Sequence, residues 1–585
     1  MRAVLIWIIV VCSSQAYAKV GALPVPEVVE GQFIATTGKT LGEFRAALGR
    51  GGYRHLEVLP FGYHLVEDEQ RRANGPALNG LVLAGAKRVQ PNFVKRIALS
   101  VEPSAIVADQ WALENPSGAD IRAVPAWQYL RSVPGADRKV QVAVIDSGID
   151  MQSAEFTGRI DLAKSYNFIS GDRNLQDYHG HGTHVAGIIG ASHAPGSRIR
   201  GVNPNVEFVI LKAFTMYGFA TSGSILKSLN AALNANVKVI NASYGSTRFD
   251  QAEFDALKKI RAAGILFVAA AGNDGVDTDQ KEYYPSGYDL PNIVSVGAST
   301  RVDEPAKFSN FGVKTVDVFA PGAEILSTIV DVTFRNRKQV FALDMNDTRA
   351  NEWKESQATN VGLAAPSGWS HTSCGDTAGA CLSFKPAGGY SPSAKFDFFN
   401  LLYTKQTVKS DPEKRYAMIA HMKYVFPKVD WSQEVTGSVM AGGISSWMLP
   451  AYYQRGETGW VDREVDLSEP GLFYSGTTAW EQIHLGFSVN FSKMAGADYK
   501  KTEMAIRKFT IVNEEPVTAS TLDRWNGTSM ATPHVVGIAA WMFAVNPSAK
   551  PEQVRAKLIA SCDPVAGMKA KASCGGRVNM DGAVR

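Results

Sequence analysis

The feature that most constrains this chain is a regular alternation, between residues 140 and 296, of short apolar runs and helical segments. The apolar runs are Val140–Ile145, Phe208–Leu211, Val237–Ile240, Ile265–Val268 and Ile293–Val296. Strands that are apolar at every position are buried on both faces, which is typical of a parallel sheet with helices on both sides. The pattern therefore predicts an α/β fold class for this part of the chain. At about 150 residues per domain, the 585 residues also leave room for further units.

Residues 19–105 have the pattern of a small α+β unit. The predicted elements are a strand at 31–35, a helix that begins with a Thr40–Glu43 capping box, strand structure at 53–66, a helical stretch at 81–88 and a closing segment at 89–94. Residues 95–110 are interpreted as a linker to the unit that follows.

Residues 331–521 have a different pattern of apolar residues. Apolar side chains occupy every second position in 416–426 and in 483–491, and 506–512 is another candidate strand. A period of two indicates half-buried antiparallel strands. This segment is therefore predicted to be an inserted, β-sandwich-like domain.

The first 18 residues predict export. A positive start at Met1-Arg2 precedes an apolar run over residues 3–12, and Ala16-Tyr17-Ala18 provides a small-x-small cleavage pattern. Ten apolar residues are too few for a membrane-spanning helix, which needs about 20. We therefore expect a signal peptide at 1–18, a secreted protein (extracellular or periplasmic) and no membrane attachment after the signal is removed.

Four cysteines remain after the predicted signal: Cys374, Cys381, Cys562 and Cys574. They form two close pairs in an exported chain, which favours two short-loop disulfides over metal ligation. The charge balance, 60 Lys+Arg against 56 Asp+Glu, argues against an electrostatic nucleic-acid binder.

Four short segments carry chemically useful side chains. Asp146 follows an apolar strand, His181 lies in a Gly-His-Gly-Thr-His-Val-Ala-Gly run, Asn273 ends another strand, and Ser529 begins an apolar helix. Unpaired N–H groups at a helix N-terminus suit a serine that must stabilise a developing oxyanion.

These segments resemble those of subtilisin-like serine proteases (subtilases), in the chain order Asp, His, Ser. The runs around His181 and Ser529, the latter Gly-Thr-Ser-Met-Ala-Thr-Pro-His, are similar to the family motifs almost letter for letter. The resemblance extends to 239–245, 308–312 and 319–322. It implies a subtilisin-like catalytic domain in two parts, residues 106–330 and 522–585.

The resemblance implies a role for each residue. Ser529 would be the nucleophile, His181 the general base and Asp146 the group that orients the imidazole, while Asn273 and the Ser529 N–H would form the oxyanion hole. The family motif places His181, and not His184, in the catalytic position. The implied function is a secreted serine endopeptidase that acts on proteins or peptides and needs no cofactor for its chemistry.

The resemblance also implies that residues 19–105 are an inhibitory propeptide, which the enzyme itself removes, with the mature chain starting near residues 109–113. Ser243, Tyr244 and Gly245 would pair with the substrate backbone. Tyr283 would lie near the floor of the side-chain pocket, where its bulk shortens the pocket. Four acids lie close by in sequence and would attract a basic residue: Asp274, Asp277, Asp279 and Glu282.

The sequence leaves two alternative functions and one possible ion site open. His179, His181 and His184 have an H-x-H-x-x-H spacing that also occurs in zinc sites, and a protease scaffold can be retained as an inactive binding or adhesion protein. His534 is expected to pack structurally. A structural calcium ion is left unassigned, because Glu155 alone is not a site.

Overall fold

The computed structural model describes residues 28–70, 74–97, 110–344, 353–359, 369–373, 380–384, 398–408, 413–426, 434–442, 456–457, 461–466, 483–492 and 503–585. The predicted signal peptide at 1–18 and Cys374 lie outside these residues. The unit at the N-terminus consists of four strands and two helices: β1 (Val28–Thr37), α1 (Leu41–Arg50), β2 (Tyr53–Leu59), β3 (Tyr63–Asp68), α2 (Asn74–Leu83) and β4 (Ala86–Ile97).

Helix α1 begins as predicted, because Thr40 and Glu43 form a reciprocal capping box. The helix predicted at 81–88 is wrong in its bounds. Helix α2 ends at Leu83, Gly85 adopts a φ of +97°, and the chain turns there into strand β4. A positive φ suits glycine, which has no Cβ to clash, and it reverses the chain direction after the helix.

The central sheet has nine strands in the order β25-β26-β13-β12-β11-β9-β5-β7-β6, and all neighbours except β25 and β26 run parallel. Its strands are β5 (Val140–Asp146), β6 (Tyr166–Asn167), β7 (Val206–Lys212), β9 (Val239–Ala242), β11 (Leu266–Ala270), β12 (Ile293–Ser299), β13 (Val318–Pro321), β25 (Asp563–Pro564) and β26 (Gly576–Arg577). The predicted α/β fold class is confirmed.

Helices cover both faces of this sheet. They are α3 (Ala123–Leu130), α4 (His181–Gly190), α5 (Ser222–Ala235), α6 (Gln251–Ala262), α7 (Thr528–Val545), α8 (Pro551–Ala560) and α9 (Met580–Val584). Val142 and Val144 of β5 join the core that contains α3, α4 and α7, whereas Ala143 and Ile145 join the core with α5 and α6. This alternation explains why the strands are apolar throughout.

Helix α7 is the central helix of the α/β region. It has 18 residues and a mean hydropathy of 1.3, and 89% of it is buried. Within the described ranges it is the one helix long and apolar enough to cross a membrane. Its burial against α4 and the sheet strands accounts for that composition.

Two long strands lead out of the α/β region into the segment that was predicted to be an inserted domain. β14 (Ile325–Asp344) and β24 (Glu503–Trp525) pair antiparallel along most of their length. The other strands are β15 (Trp353–Thr359), β16 (Trp369–Ser373), β17 (Ala380–Phe384), β18 (Phe398–Val408), β19 (Arg415–Phe426), β20 (Glu434–Gly442), β21 (Gly456–Glu457), β22 (Val461–Asp466) and β23 (Ile483–Ser492). They form two antiparallel sheets, so the period-two segments are strands as predicted.

The structure contains the predicted disulfide between Cys562 and Cys574, whose Cα atoms lie 6.2 Å apart. Cys381 is also disulfide-bonded and buried.

Candidate active site

Asp146 and His181 meet at the carboxyl edge of the central sheet. Asp146 is the last residue of β5, and His181 is the first residue of α4. His181 Nδ1 lies 2.8 Å from Asp146 Oδ1 and 2.9 Å from Oδ2. The Ser147 N–H donates to Asp146 Oδ1 at 2.7 Å, and both members of the pair are buried. The carboxylate therefore holds the imidazole in one orientation, with Nε2 directed away from it.

The glycine that follows His181 permits this approach. A Cβ at Gly182 would overlap the carbonyl oxygen of Gly148 and lie 3.1 Å from Asp146 Cβ. The Gly182 N–H donates to Ser147 Oγ at 3.0 Å. Only a residue without a side chain lets the start of α4 come this close to the end of β5.

Asp177 supports the same helix start, and the sequence reasoning missed it. Its carboxylate accepts hydrogen bonds from the backbone N–H groups of His179, Gly180 and Thr183, each at 2.9 Å, and from the Thr183 hydroxyl at 2.7 Å. Burial raises the pKa of Asp177, but these bonds outweigh burial and leave the pKa below its ordinary value. The sequence did offer one signal for this role, an acidic residue a few positions before a helix start.

Ser529 lies in the first turn of α7 and is fully buried. Its hydroxyl donates to the carbonyl oxygen of Ser243 at 2.9 Å, and the Ser243 hydroxyl donates to the carbonyl oxygen of Ser529 at 3.0 Å. Asn241 Nδ2 donates to Ser243 Oγ at 3.0 Å. The serine is therefore tied to the segment that follows β9.

Asn273 is oriented by the residue before the serine. Its Oδ1 accepts hydrogen bonds from the Thr528 N–H at 2.9 Å and from the Thr528 hydroxyl at 3.0 Å. Its Nδ2 is buried and has no hydrogen-bond partner among the described residues. A preorganised donor beside a helix N-terminus is the arrangement that stabilises an oxyanion.

Helices α4 and α7 pack against each other, which brings the two halves of the site together. The indole of Trp525, at the end of β24, stacks on His184 with centroids 5.0 Å apart and lies 6.1 Å from the His181 ring. His181 Nε2 is buried without a hydrogen-bond partner in the described part of the chain. The structure thus joins Asp146 to His181 and Ser529 to Ser243, but it contains no hydrogen bond between Ser529 and His181.

The other histidines have different partners. His184 Nε2 lies 2.9 Å from the Ile325 carbonyl oxygen, and His534 Nδ1 lies 2.9 Å from the Met530 carbonyl oxygen. Burial lowers the pKa of His184 to about 3, that of His534 to about 4 and that of His179 to about 4. The described residues contain no group of three or more His, Cys, Asp or Glu side chains that could hold a metal ion.

Strand β4 occupies the groove beside Ser243. Residues 94–96 pair with β8 (Phe219–Thr221) on one side, while Arg96 and Ile97 pair with Gly245 and Tyr244 of β10 (Tyr244–Gly245) on the other. The Ile97 N–H also donates to the Gly218 carbonyl oxygen at 3.2 Å. Residues 95–97, interpreted from the sequence as linker, are therefore a strand. β4 lies where Ser243, Tyr244 and Gly245 were predicted to pair with a substrate.

Tyr283 lies between two backbone segments of the predicted pocket. A Cβ at Gly245 would overlap the Tyr283 ring, and a Cβ at Gly272 would lie 3.0 Å from it. The ring therefore fills the space between these two glycines. Of the nearby acids, Asp279 accepts bonds from Lys314 and Thr315, and Glu282 accepts one from the Tyr284 hydroxyl.

Glu155 is buried and is held by its own surroundings. Its Oε1 accepts a hydrogen bond from the Arg198 N–H at 2.8 Å. The Arg159 guanidinium donates to the carbonyl oxygens of Glu155 at 3.3 Å and Val206 at 3.2 Å. The charges of Arg159 and Glu155 also interact, and a calcium ion stays unassigned.

Residues 137–375 and 464–576 match the model of the subtilase family, and the break at 376–463 lies within the predicted insertion. The chain is 33% identical over 231 residues to an intracellular serine protease of Paenibacillus polymyxa, covering 38% of this chain and 68% of that protein. It is 34% identical over 204 residues to a thermophilic serine proteinase of Bacillus sp. (strain AK1), covering 35% and 48%. It is 32% identical over 229 residues to Subtilisin-like protease 2 of Plasmodium falciparum, where the aligned part spans 17% of the relative.

A solved structure has a similar fold. It is fervidolysin from Fervidobacterium pennivorans, described as a keratinolytic enzyme related to subtilisin, with a TM-score of 0.53 and 17% sequence identity. The match covers 96% of this chain and 62% of that one. At this identity the likeness shows the fold alone.

Proposed function

Because the chain belongs to the subtilase family, we propose that it is a serine endopeptidase that hydrolyses peptide bonds of proteins with Asp146, His181 and Ser529. The observation that carries the proposal is the buried Asp146–His181 pair, with Nδ1 and Oδ1 2.8 Å apart, on a helix that packs against α7, which has Ser529 in its first turn. An oriented base beside a hydroxyl at a helix N-terminus is the arrangement that nucleophilic catalysis requires.

The reaction requires the Ser529 hydroxyl to change its hydrogen-bond partner. The Ser529 hydroxyl leaves the Ser243 carbonyl oxygen and donates instead to His181 Nε2. His181 takes the proton as Ser529 Oγ attacks the substrate carbonyl carbon, and it later gives that proton to the leaving amine. A water molecule, activated by the same nitrogen, then hydrolyses the acyl-enzyme and restores the serine.

The developing negative charge falls on the substrate carbonyl oxygen. Asn273 Nδ2 and the Ser529 N–H donate to it, and Thr528 holds the Asn273 amide so that its donor faces the reaction. Such fixed donors need no reorganisation during the reaction, which is why they lower the barrier. Asp146 stabilises the imidazolium that forms in the same step.

We further propose that the protein is a secreted precursor that processes itself. Residues 19–105 act as the inhibitor, since β4 pairs with β8 and β10 where a substrate strand would lie. The signal pattern at residues 1–18 supports export. Removal of β4 would open the groove to protein substrates.

A fluorophosphonate probe tests the catalytic proposal against the alternative of an inactive binding protein. The processed protein should react with the probe and cleave casein, and Ser529→Ala should lose the label and about six orders of magnitude in turnover, as in subtilisin. Ser132→Ala, at an exposed turn away from the site, is the matched control. Absence of labelling and cleavage would support the binding protein, and chelator-sensitive cleavage without labelling would support a metal enzyme.

A further inference from the structure

Lys95 is a fully buried lysine on β4, the strand that lies where a substrate strand is proposed to bind. Its side chain has a relative exposure of 0%, and its Nζ lies 2.9 Å from Glu253 Oε2 and 3.7 Å from Asp250 Oδ2. Both carboxylates are also buried, with exposures of 0% for Asp250 and 1% for Glu253. Charged side chains are rarely buried so completely unless a specific partner is built for them.

Four side chains form a polar cage around the Lys95 ammonium group: Asp250, Glu253, Tyr244 and Tyr288. The Tyr244 hydroxyl donates to Glu253 Oε1 at 3.2 Å, and the Tyr288 hydroxyl donates to Glu253 Oε2 at 3.1 Å. Asp250 caps α6 through the N–H groups of Ala252 and Glu253. These contacts fix the carboxylates before any lysine arrives, so the cage is preorganised.

The charges of the cage do not balance without the lysine. In the described part of the chain, Lys95 is the one basic side chain that pairs with Asp250 or Glu253. Burial lowers the pKa of Lys95, but the two carboxylates outweigh burial and leave the pKa above its ordinary value. Burial and the neighbouring Asp250 raise the pKa of Glu253. Two buried acids left without their cation are strongly destabilised, which favours rebinding of a positive group.

The acids and tyrosines of the cage belong to residues 244–288, whereas the lysine enters on β4. If β4 is removed by processing, as proposed above, the cage loses its cation and opens to the substrate groove. We propose that this cage is a specificity site that binds the ammonium group of a substrate lysine in place of Lys95. The inference rests on the proposed proteolytic function and names the substrate class for it.

The strand register gives the position of that lysine in a substrate. Arg96 is opposite Gly245 and Ile97 is opposite Tyr244, so the next residue of a substrate strand would be opposite Ser243. The Ser243 carbonyl oxygen accepts the Ser529 hydroxyl at 2.9 Å, which places the scissile bond at that point. The lysine is then the fourth residue before the scissile bond. The exposed Arg96 side chain corresponds to the third.

The test uses the processed enzyme and three peptides that differ in one feature. The first has lysine as the fourth residue before the scissile bond, the second has methionine there, and the third has its lysine as the third residue. The first should have a kcat/KM at least about tenfold above the other two, because methionine and a displaced lysine leave the carboxylates unpaired. Equal cleavage of all three would overturn the inference, whereas cleavage of none would overturn the proposed function.

A variant pair tests the carboxylate itself. Glu253→Gln keeps the size of the side chain and should lower kcat/KM for the first peptide toward that of the methionine peptide. Asp255→Asn is the matched control, because Asp255 lies on the same helix but bonds Tyr63 and Arg88 instead of Lys95. If Glu253→Gln fails to fold, the comparison of the three peptides still decides the inference. An unchanged lysine preference in a folded Glu253→Gln protein would overturn it.

Discussion

The hydroxyl of Ser529 donates its hydrogen bond to the carbonyl oxygen of Ser243 at 2.9 Å, and His181 Nε2 has no partner among the described residues. Ser529 and His181 are therefore not hydrogen-bonded to each other while β4 occupies the neighbouring groove. This arrangement is consistent with an inactive precursor, since the hydroxyl must turn before it can lose its proton.

We expect the precursor to label with a fluorophosphonate more than about tenfold more slowly than the processed enzyme, because only molecules whose groove is open react. Samples taken during maturation should show label on the shortened chain in denaturing gels. A precursor band that labels as fast as the processed band would contradict an inhibitory β4.

The first processing cut is predicted to follow Ala98 and to leave Leu99 as the new N-terminus. If the pairing of Arg96 with Gly245 and of Ile97 with Tyr244 were continued by one residue, alanine would be opposite Ser243, and alanine would suit a pocket that Tyr283 shortens. N-terminal sequencing of the earliest product checks this. The Ser529→Ala precursor should remain uncut, and a first cut elsewhere would show that β4 shifts before cleavage.

Replacing Asn273 by aspartate should lower kcat by at least about 10²- to 10³-fold with KM little changed, because the variant loses the Nδ2 donor. Aspartate keeps an oxygen that can accept from Thr528, so the local backbone should be preserved. Steady-state kinetics on one peptide measure both constants. Thr528→Ser retains both hydrogen bonds and serves as the control. An equal loss in that control would mean that the aspartate variant acts through local structure.

Tyr283→Gly should enlarge the pocket between Gly245 and Gly272. The ratio of kcat/KM for a peptide with phenylalanine before the scissile bond to one with alanine should rise about 10- to 200-fold. The pair of peptides is compared on the wild type and the variant. An unchanged ratio would place the pocket elsewhere.

The free energy of unfolding of the Ser529→Ala protein, which cannot digest itself, should decrease as the pH is lowered from 6.5 to 4. Burial lowers the pKa of His184 to about 3 and that of His534 to about 4, so the unfolded state binds their protons first as the pH drops. In that window each ring changes the free energy of unfolding by up to about 1.4 kcal/mol per pH unit. Above the ordinary histidine pKa, the stabilisation from each neutral ring is fully present. Denaturant unfolding at several pH values measures the slope. His534→Asn should make it shallower, and an identical slope would assign the effect to other groups.

Much of the fold was predictable because buried positions are apolar, and the spacing of apolar residues is visible in the sequence. β5 is apolar at consecutive positions since Val142 and Ala143 face different cores, and the alternating segments of β19 and β23 are strands of antiparallel sheets. The bounds of α2 were missed, because a single glycine at positive φ ended the helix earlier than the apolar pattern did.

The site was only partly predictable. Asp146, His181, Asn273 and Ser529 were found through their motifs, and their catalytic roles stay predictions. Asp177 and Trp525 were missed, since neither belongs to a motif and each acts through contacts with α4. The buried partnership of Lys95 with Glu253 joins residues 158 positions apart, and no local pattern reports it.

The amino-acid sequence by itself determined the α/β class, the positions of the main strands of the parallel sheet and the identity of the candidate catalytic side chains, because periodicity and short motifs are local properties of a chain. The tertiary structure alone decided that β4 lies between β8 and β10, that Tyr283 fills the space beside Gly245, and that Lys95 enters a cage of acids. These relationships join distant residues across packed surfaces, where burial strengthens each charge and excludes every side chain that does not fit.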